Sequence, residues 1–132
     1  MKRRLRVGIR SREDSYTAAL HALRRAESGK RIVQAPGLYF ESLDDLRKIL
    51  TTKRLDLLVA ILHQAPGSVT ELAKLVRRDL KNVSADLALL RQLGLVEFVE
   101  AKGHGNARTP VVPYDEIDIT IDLRSLTQSE AA

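Results

Sequence analysis

Lys81, Asn82, Ser84, Ala85 and Arg91 fall in one stretch, DLKNVSADLALLRQLG, where Val83, Leu87 and Leu90 recur at helical spacing. That spacing predicts a helix over 80–93. Its core side is Val83, Leu87, Leu90 and Leu80; its other side is Lys81, Asn82, Ser84, Ala85, Ala88 and Arg91. The second set suits reading of base edges. The Asn82 carboxamide can pair with adenine, and Lys81 can reach guanine or a phosphate. Ala85 and Ala88 are small enough for close approach. Arg77 and Arg78, at the helix entrance, are candidates for phosphate contacts.

Such a helix must be braced. Ser68-Val69-Thr70-Glu71 matches a capping box, with the Ser68 hydroxyl accepting from the Glu71 N–H and Glu71 reaching back. The helix it opens turns Leu72, Leu75 and Val76 inward. Asp79 is placed to cap the next helix, and Gly94 to stop it. Leu95 to Glu100 then alternates as a strand, and Thr109 to Val112 returns. Between them lies a glycine-rich tip over 102–108 carrying Lys102, His104, Asn106 and Arg108. The order is that of a helix-turn-helix with a wing, whose tip contacts the backbone or the minor groove. A plain helical hairpin followed by a solvated β-hairpin is the bland reading. The strand, tip and strand directly after the second helix favour the wing.

The flanks supply the frame. Leu5, Val7 and Ile9 alternate with Arg4, Arg6, Gly8 and Arg10, which predicts a strand with one apolar and one basic face. Tyr16, Ala19, Leu20 and Leu23 predict a helix ending near Gly29, and short strands are expected at Ile32-Val33 and Leu38–Phe40 around the Pro36-Gly37 turn. Ser42 opens a helix that breaks at Thr51-Thr52; the next carries the stripe Leu55, Leu58, Val59, Leu62 and ends at Ala65-Pro66-Gly67. Ile117, Ile119, Ile121 and Leu123 alternate with Asp118, Thr120 and Asp122 in a last strand. The basic first strand and the acidic last strand are therefore expected to pair, within a chain or across a dimer. The fold class expected is α+β: a winged helix-turn-helix over 41–124, an N-terminal strand-helix extension over 1–40, a C-terminal strand and a frayed tail over 125–132.

From Thr51 to Phe98 the chain resembles winged helix-turn-helix regulators of the MarR and ArsR kind. More closely it resembles a family of short prokaryotic proteins described as DNA-binding proteins or predicted transcriptional regulators. The motifs are F-x-S-x-x-x-L at Phe40–Leu46, T-x-x-R at Thr51–Arg54 and P-G-S-V-T-E-L-A at Pro66–Ala73. They continue as R-D-L-K-N-V-x-x-D-L at Arg78–Leu87, L-G-L-V at Leu93–Val96 and P-x-V-P-Y-D-E-I at Pro110–Ile117. The resemblance covers roughly residues 38–124 and implies a winged helix that binds DNA. It leaves operator and effector open. Some members are encoded beside toxins, which implies an antitoxin as the alternative.

Composition narrows the rest. The net charge of +5 suits a polyanionic partner. The absence of cysteine excludes disulfides and thiolate metal sites and fits a reducing, cytoplasmic setting. No apolar run is long enough for a membrane span. His21, His63 and His104 lack metal-ligand spacing, Asp44-Asp45 and Asp115-Glu116 are adjacent pairs without a partner motif, and Gly103-x-Gly105 lacks the helix and Lys of a phosphate loop. Aromatics at 4% argue against stacking on single strands. The expectation is a homodimeric regulator of double-stranded DNA with no enzymatic activity, cofactor or metal. The alternative is an antitoxin that binds a toxin protein and autoregulates through its winged helix.

Overall fold

The computed structural model describes residues 3–9, 37–100, 108–124 and 126. The N-terminal helix, the strand at Ile32-Val33 and the tip residues Lys102, His104 and Asn106 expected above lie outside them. The described residues form four helices and five strands, an α+β protein. They fall into two compact units. One spans Leu50–Asp115; the other combines residues before Leu50 with those from Glu116 onward. The first unit is thus an insertion, in chain order, within the second. The sequence reading divides the chain elsewhere, at 40/41 and 124/125.

The second unit is built on a three-stranded sheet of β1 (Arg4–Ile9), β2 (Gly37–Phe40) and β5 (Glu116–Ile121), in the order β2-β1-β5. Both pairings are parallel, with Arg4 beside Glu116, Leu5 beside Ile117 and Arg6 beside Asp118. The strands from the two ends of the sequence therefore do pair, within one chain. Arg4 Nε stands 3.1 Å from Glu116 Oε2 and 3.2 Å from Asp118 Oδ2. Arg4 and Asp118 are exposed and Glu116 half-buried, so these pairs favour the register more than they add stability. On the opposite face Leu5, Val7 and Ile9 are buried. Ile119 and Ile121 share that face but stay 54% and 43% exposed, so the expected common core reaches β1 and not the outer half of edge strand β5. β2 pairs parallel with β1, Val7 beside Leu38 and Ile9 beside Phe40. Helix α1 (Leu43–Ile49) follows, with Ser42 Oγ accepting from Asp45 N at 3.1 Å and Leu46 buried.

The inserted unit begins with α2 (Thr52–Gln64), whose Thr51 Oγ1 accepts from Arg54 N. Its core face is Leu57, Leu58, Ala60 and Ile61. Of the predicted stripe only Leu58 is buried, because α2 is apolar round most of its circumference and spacing alone selected the wrong side. Helix α3 (Val69–Val76) buries Leu72 and Ala73, while Leu75, expected inside, is exposed. Its capping box differs from expectation in one bond. Ser68 Oγ accepts from Glu71 N at 3.1 Å, but Glu71 Oε2 accepts from Gly67 N at 2.7 Å, one residue further out. Thr109 Oγ1 donates to Gly67 O at 2.8 Å, so the peptides flanking Gly67 are held from both sides.

Helix α4 (Leu80–Gln92) buries Val83, Leu87 and Leu90, while Leu80 is exposed. Gly94, at φ 81°, ends the turn after it, with Gly94 N donating to Arg91 O and Leu95 N to Leu90 O. This is a Schellman closure, in which glycine adopts the left-handed conformation freely. Buried Leu95 and Val96 then lead into β3 (Glu97–Glu100), which pairs antiparallel with β4 (Arg108–Val111), Phe98 beside the buried Pro110.

Among the described residues two other than glycine are left-handed, Ala65 (φ 46°) after α2 and Arg77 (φ 57°) after α3. Ala65 is exposed and donates its N–H to Ile61 O, a bond that glycine would keep. Ala65→Gly is expected to stabilise the protein by about 0.5–1 kcal/mol, because it relieves the Cβ strain and keeps the cap. Thermal unfolding checks this: the midpoint should rise by about 2–5 °C, and a fall would contradict the strain.

Candidate nucleic-acid interface

Helix α4 is divided by its own period. Lys81, Ser84, Ala85, Ala88 and Gln92 repeat along one side, with Asn82 and Arg91 on its two flanks, and all seven are exposed. The core residues take the opposite side. The result is a surface of one cation, small residues and amides, with a second cation at the C-terminal end.

That end is shaped by β3. The Arg91 guanidinium carbon sits 5.7 Å from the centre of the Phe98 ring, a cation–π arrangement that holds the side chain against the strand. Ser84, Ala88, Arg91, Gln92 and Phe98 line an open groove of about 380 Å3. Phe98 and Gln92 were not among the sequence candidates; Phe98 joins the site only through the return of the chain after Gly94.

The two arginines before α4 have opposite fates. Arg77 is exposed in its left-handed position. Its N–H donates to Lys74 O, and the Arg78 N–H to Ala73 O. This is the closure that Gly94 makes after α4, with arginine in the glycine position. Arg78 turns inward. Its Nη2 donates to Asp86 Oδ2 at 2.7 Å, and Arg54 Nε of α2 donates to Asp86 Oδ1 at 3.1 Å. The three side chains are only 16–21% exposed. Arg78, expected at a phosphate, is therefore committed to the protein. Asp79 occupies the position before α4 but makes no side-chain cap bond.

Asp86 ties α4 to α2 and to the turn between α3 and α4, and so fixes how the exposed side of α4 is presented. A sequence signal for it exists. Asp86 stands three residues after Val83 and four before Leu90, toward the buried side, and Arg54 stands three, four and seven before Leu57, Leu58 and Ile61. A charge on the apolar face of each of two neighbouring helices calls for a pair.

Of the expected tip cations only Arg108 is described. It is exposed at the start of β4, opposite Glu100. Among the described residues no group of three or more His, Asp or Glu side chains could hold a metal ion, and no helix is long and apolar enough to cross a membrane.

Burial pushes the Asp86 carboxyl up, but the hydrogen bonds and charges of Arg78 and Arg54 outweigh it and hold the carboxyl below its ordinary value of 3.8. A lowered folded-state value means that the stabilisation is complete above the unfolded value and disappears as pH falls through the folded one. Asp86→Ala is expected to lose about 2–4 kcal/mol, since it leaves two inward arginines without their acceptor. Denaturant unfolding at neutral pH and again below the carboxylate range checks both points. The difference between parent and variant should shrink in acid; an equal difference at both would contradict the assignment.

The family model designated HVO_A0114 matches residues 49–119, which takes in the whole Leu50–Asp115 unit and the first residues of β5. No curated protein and no solved structure matches the chain. With the match spanning more than half of its length, the chain belongs to the HVO_A0114 family.

Proposed function

We propose that the protein is a sequence-specific, double-stranded DNA-binding transcriptional regulator whose inserted unit is a winged helix-turn-helix. Helix α4 reads the major groove, and the hairpin of β3 and β4 is the wing, its tip over 102–108 directed to the backbone or minor groove. The observation that carries the reading is the exposed side of α4. Lys81, Asn82, Ser84, Ala85 and Ala88 are all open on a helix whose other side is locked by Val83, Leu87, Leu90 and the Asp86 pairs. A rigid helix with a small polar face is what entry into a groove requires. Lys81 and Asn82 touch bases, Ser84 and Ala85 lie close to them, and Arg91 is steered by Phe98. Arg77 contacts phosphate, whereas Arg78 acts by positioning α4. No catalytic step and no cofactor enter this account, and a regulator of this kind works in the cytoplasm.

Arg77 adds a second argument. A left-handed position after a helix favours glycine, and arginine there costs stability. Retaining the side chain makes sense where its charge has work outside the fold. A toxin-binding role is the second reading, favoured only by the exposed Ile119, Ile121 and Leu123, which a protein partner would cover.

Binding of a labelled duplex from the protein's own promoter region tests the proposal. Asn82→Ala should lose about 1–3 kcal/mol, or roughly 5–150-fold, on its preferred sequence and little on unrelated DNA. Arg77→Gly should weaken all duplexes and lower the salt slope by about one unit, while making the protein more resistant to unfolding by up to about 1 kcal/mol. If both variants bound as the parent does, the helix and its entrance would not be the interface.

A further inference from the structure

The DNA reading leaves the outer side of α2 unexplained. Leu55, Val59 and Leu62 are 40%, 52% and 43% exposed. Single exposed leucines are ordinary, but these three stand at i, i+4 and i+7 and make one continuous ridge about two turns long. At its C-terminal end the ridge runs into an open groove of about 180 Å3, whose lining includes Ile61, Leu62, Ala65, Pro66, Pro110 and Val111. Ridge and groove thus lie side by side on one unit.

We propose that this face is the seam of a homodimer, formed by α2 packing antiparallel against α2 of a second copy with Val59 on the two-fold axis. The ends of the ridge select that occupant. Asp56 and His63 are both exposed and border the ridge on one side, seven residues apart. In an antiparallel pair centred near Val59, Asp56 of one protomer faces His63 of its partner, and the reverse contact repeats it. Leu55 of each protomer then reaches the region of Leu62 and Pro66, where the groove receives it. A parallel pair would put the two Asp56 side chains on opposite sides of the seam and leave each about two turns from the partner's His63, so the contact would be lost. The contact is self-complementary, as a two-fold interface must be.

The other exposed apolar surface does not compete for this role. Antiparallel self-pairing of β5 with Ile119 and Ile121 on one side sets acidic residues against each other in most registers, Asp118 against its own copy or Glu116 against Asp122. The strands thus settle the fold of one chain and leave α2 to join two. Two helical turns form a small interface, so the dimer is weak in solution and gains strength when two copies engage one duplex. The seam itself stands whether or not DNA is the ligand.

Sedimentation equilibrium of the full chain without DNA, across a wide concentration range, tests it. The parent should pass from one to two copies as concentration rises. Val59→Glu should weaken association at least about ten-fold. Asp56→Lys should weaken it, and adding His63→Glu should restore it. Since the chain has no cysteine, Val59→Cys should be joined to its partner by a short bis-maleimide, and Lys74→Cys should not. Circular dichroism verifies folding; if Val59→Glu unfolds, the charge exchange between exposed residues decides. A parent that stays single at every concentration overturns the proposal. So does a dimer indifferent to Val59→Glu and to the charge exchange.

Discussion

Asp86 accepts from Arg54 at 3.1 Å and from Arg78 at 2.7 Å, and through these two bonds one carboxylate joins three segments of the inserted unit. Apolar packing of Leu57, Leu72, Val83, Leu87 and Leu90 gathers the helices but tolerates sliding and rotation, because dispersion is not directional. The charged pairs are directional. They fix the rotation of α4 about its axis and therefore which residues it presents. Such pairs return little net stability against an apolar replacement, since desolvation offsets most of the attraction. Their contribution is to geometry, and a rotation of α4 by one residue, about 100°, would turn Lys81 and Ala85 away from the open side.

The same few residues show why neighbours in sequence have different tasks. Arg77 and Arg78 are adjacent in a turn where the chain reverses handedness for one residue. The left-handed conformation at Arg77 leaves its side chain in solvent, and the next residue points back at Asp86. After α4 the same closure is made by Gly94, which carries no strain. Two helices of one unit thus end alike, one with a residue suited to folding and one with a residue whose charge the proposed function uses. The Gly67 clamp plays a related part: Glu71 and Thr109 hold the turn before α3 to β4, and so tie the hairpin to the helices.

Much of this was legible in the sequence because it is local. The Ser68 box, the Gly94 stop, the two faces of α4 and the alternation in β1 and β5 each follow from residues a few positions apart. Opposite charges on β1 and β5 also foretold a pairing between the two ends of the chain. What was not legible depends on choices between equivalent local patterns. Helix α2 carries apolar residues on both sides, so its period could not choose between Leu57-Ile61 and Leu55-Val59-Leu62. The direction of Arg78 depends on an aspartate eight residues on and an arginine on another helix. The parallel pairing of β2 with β1 is non-local and leaves no mark in spacing.

The proposed function requires α4 to read DNA sequence. Selection of bound duplexes from a random pool at low and at moderate salt tests it most directly. A motif with related half-sites about one helical turn apart, ~10 base pairs, should be enriched at both salts. Total binding should fall steeply between them, because phosphate contacts release counterions. Recovery of unenriched DNA at both salts, or binding that ignores salt, would contradict it.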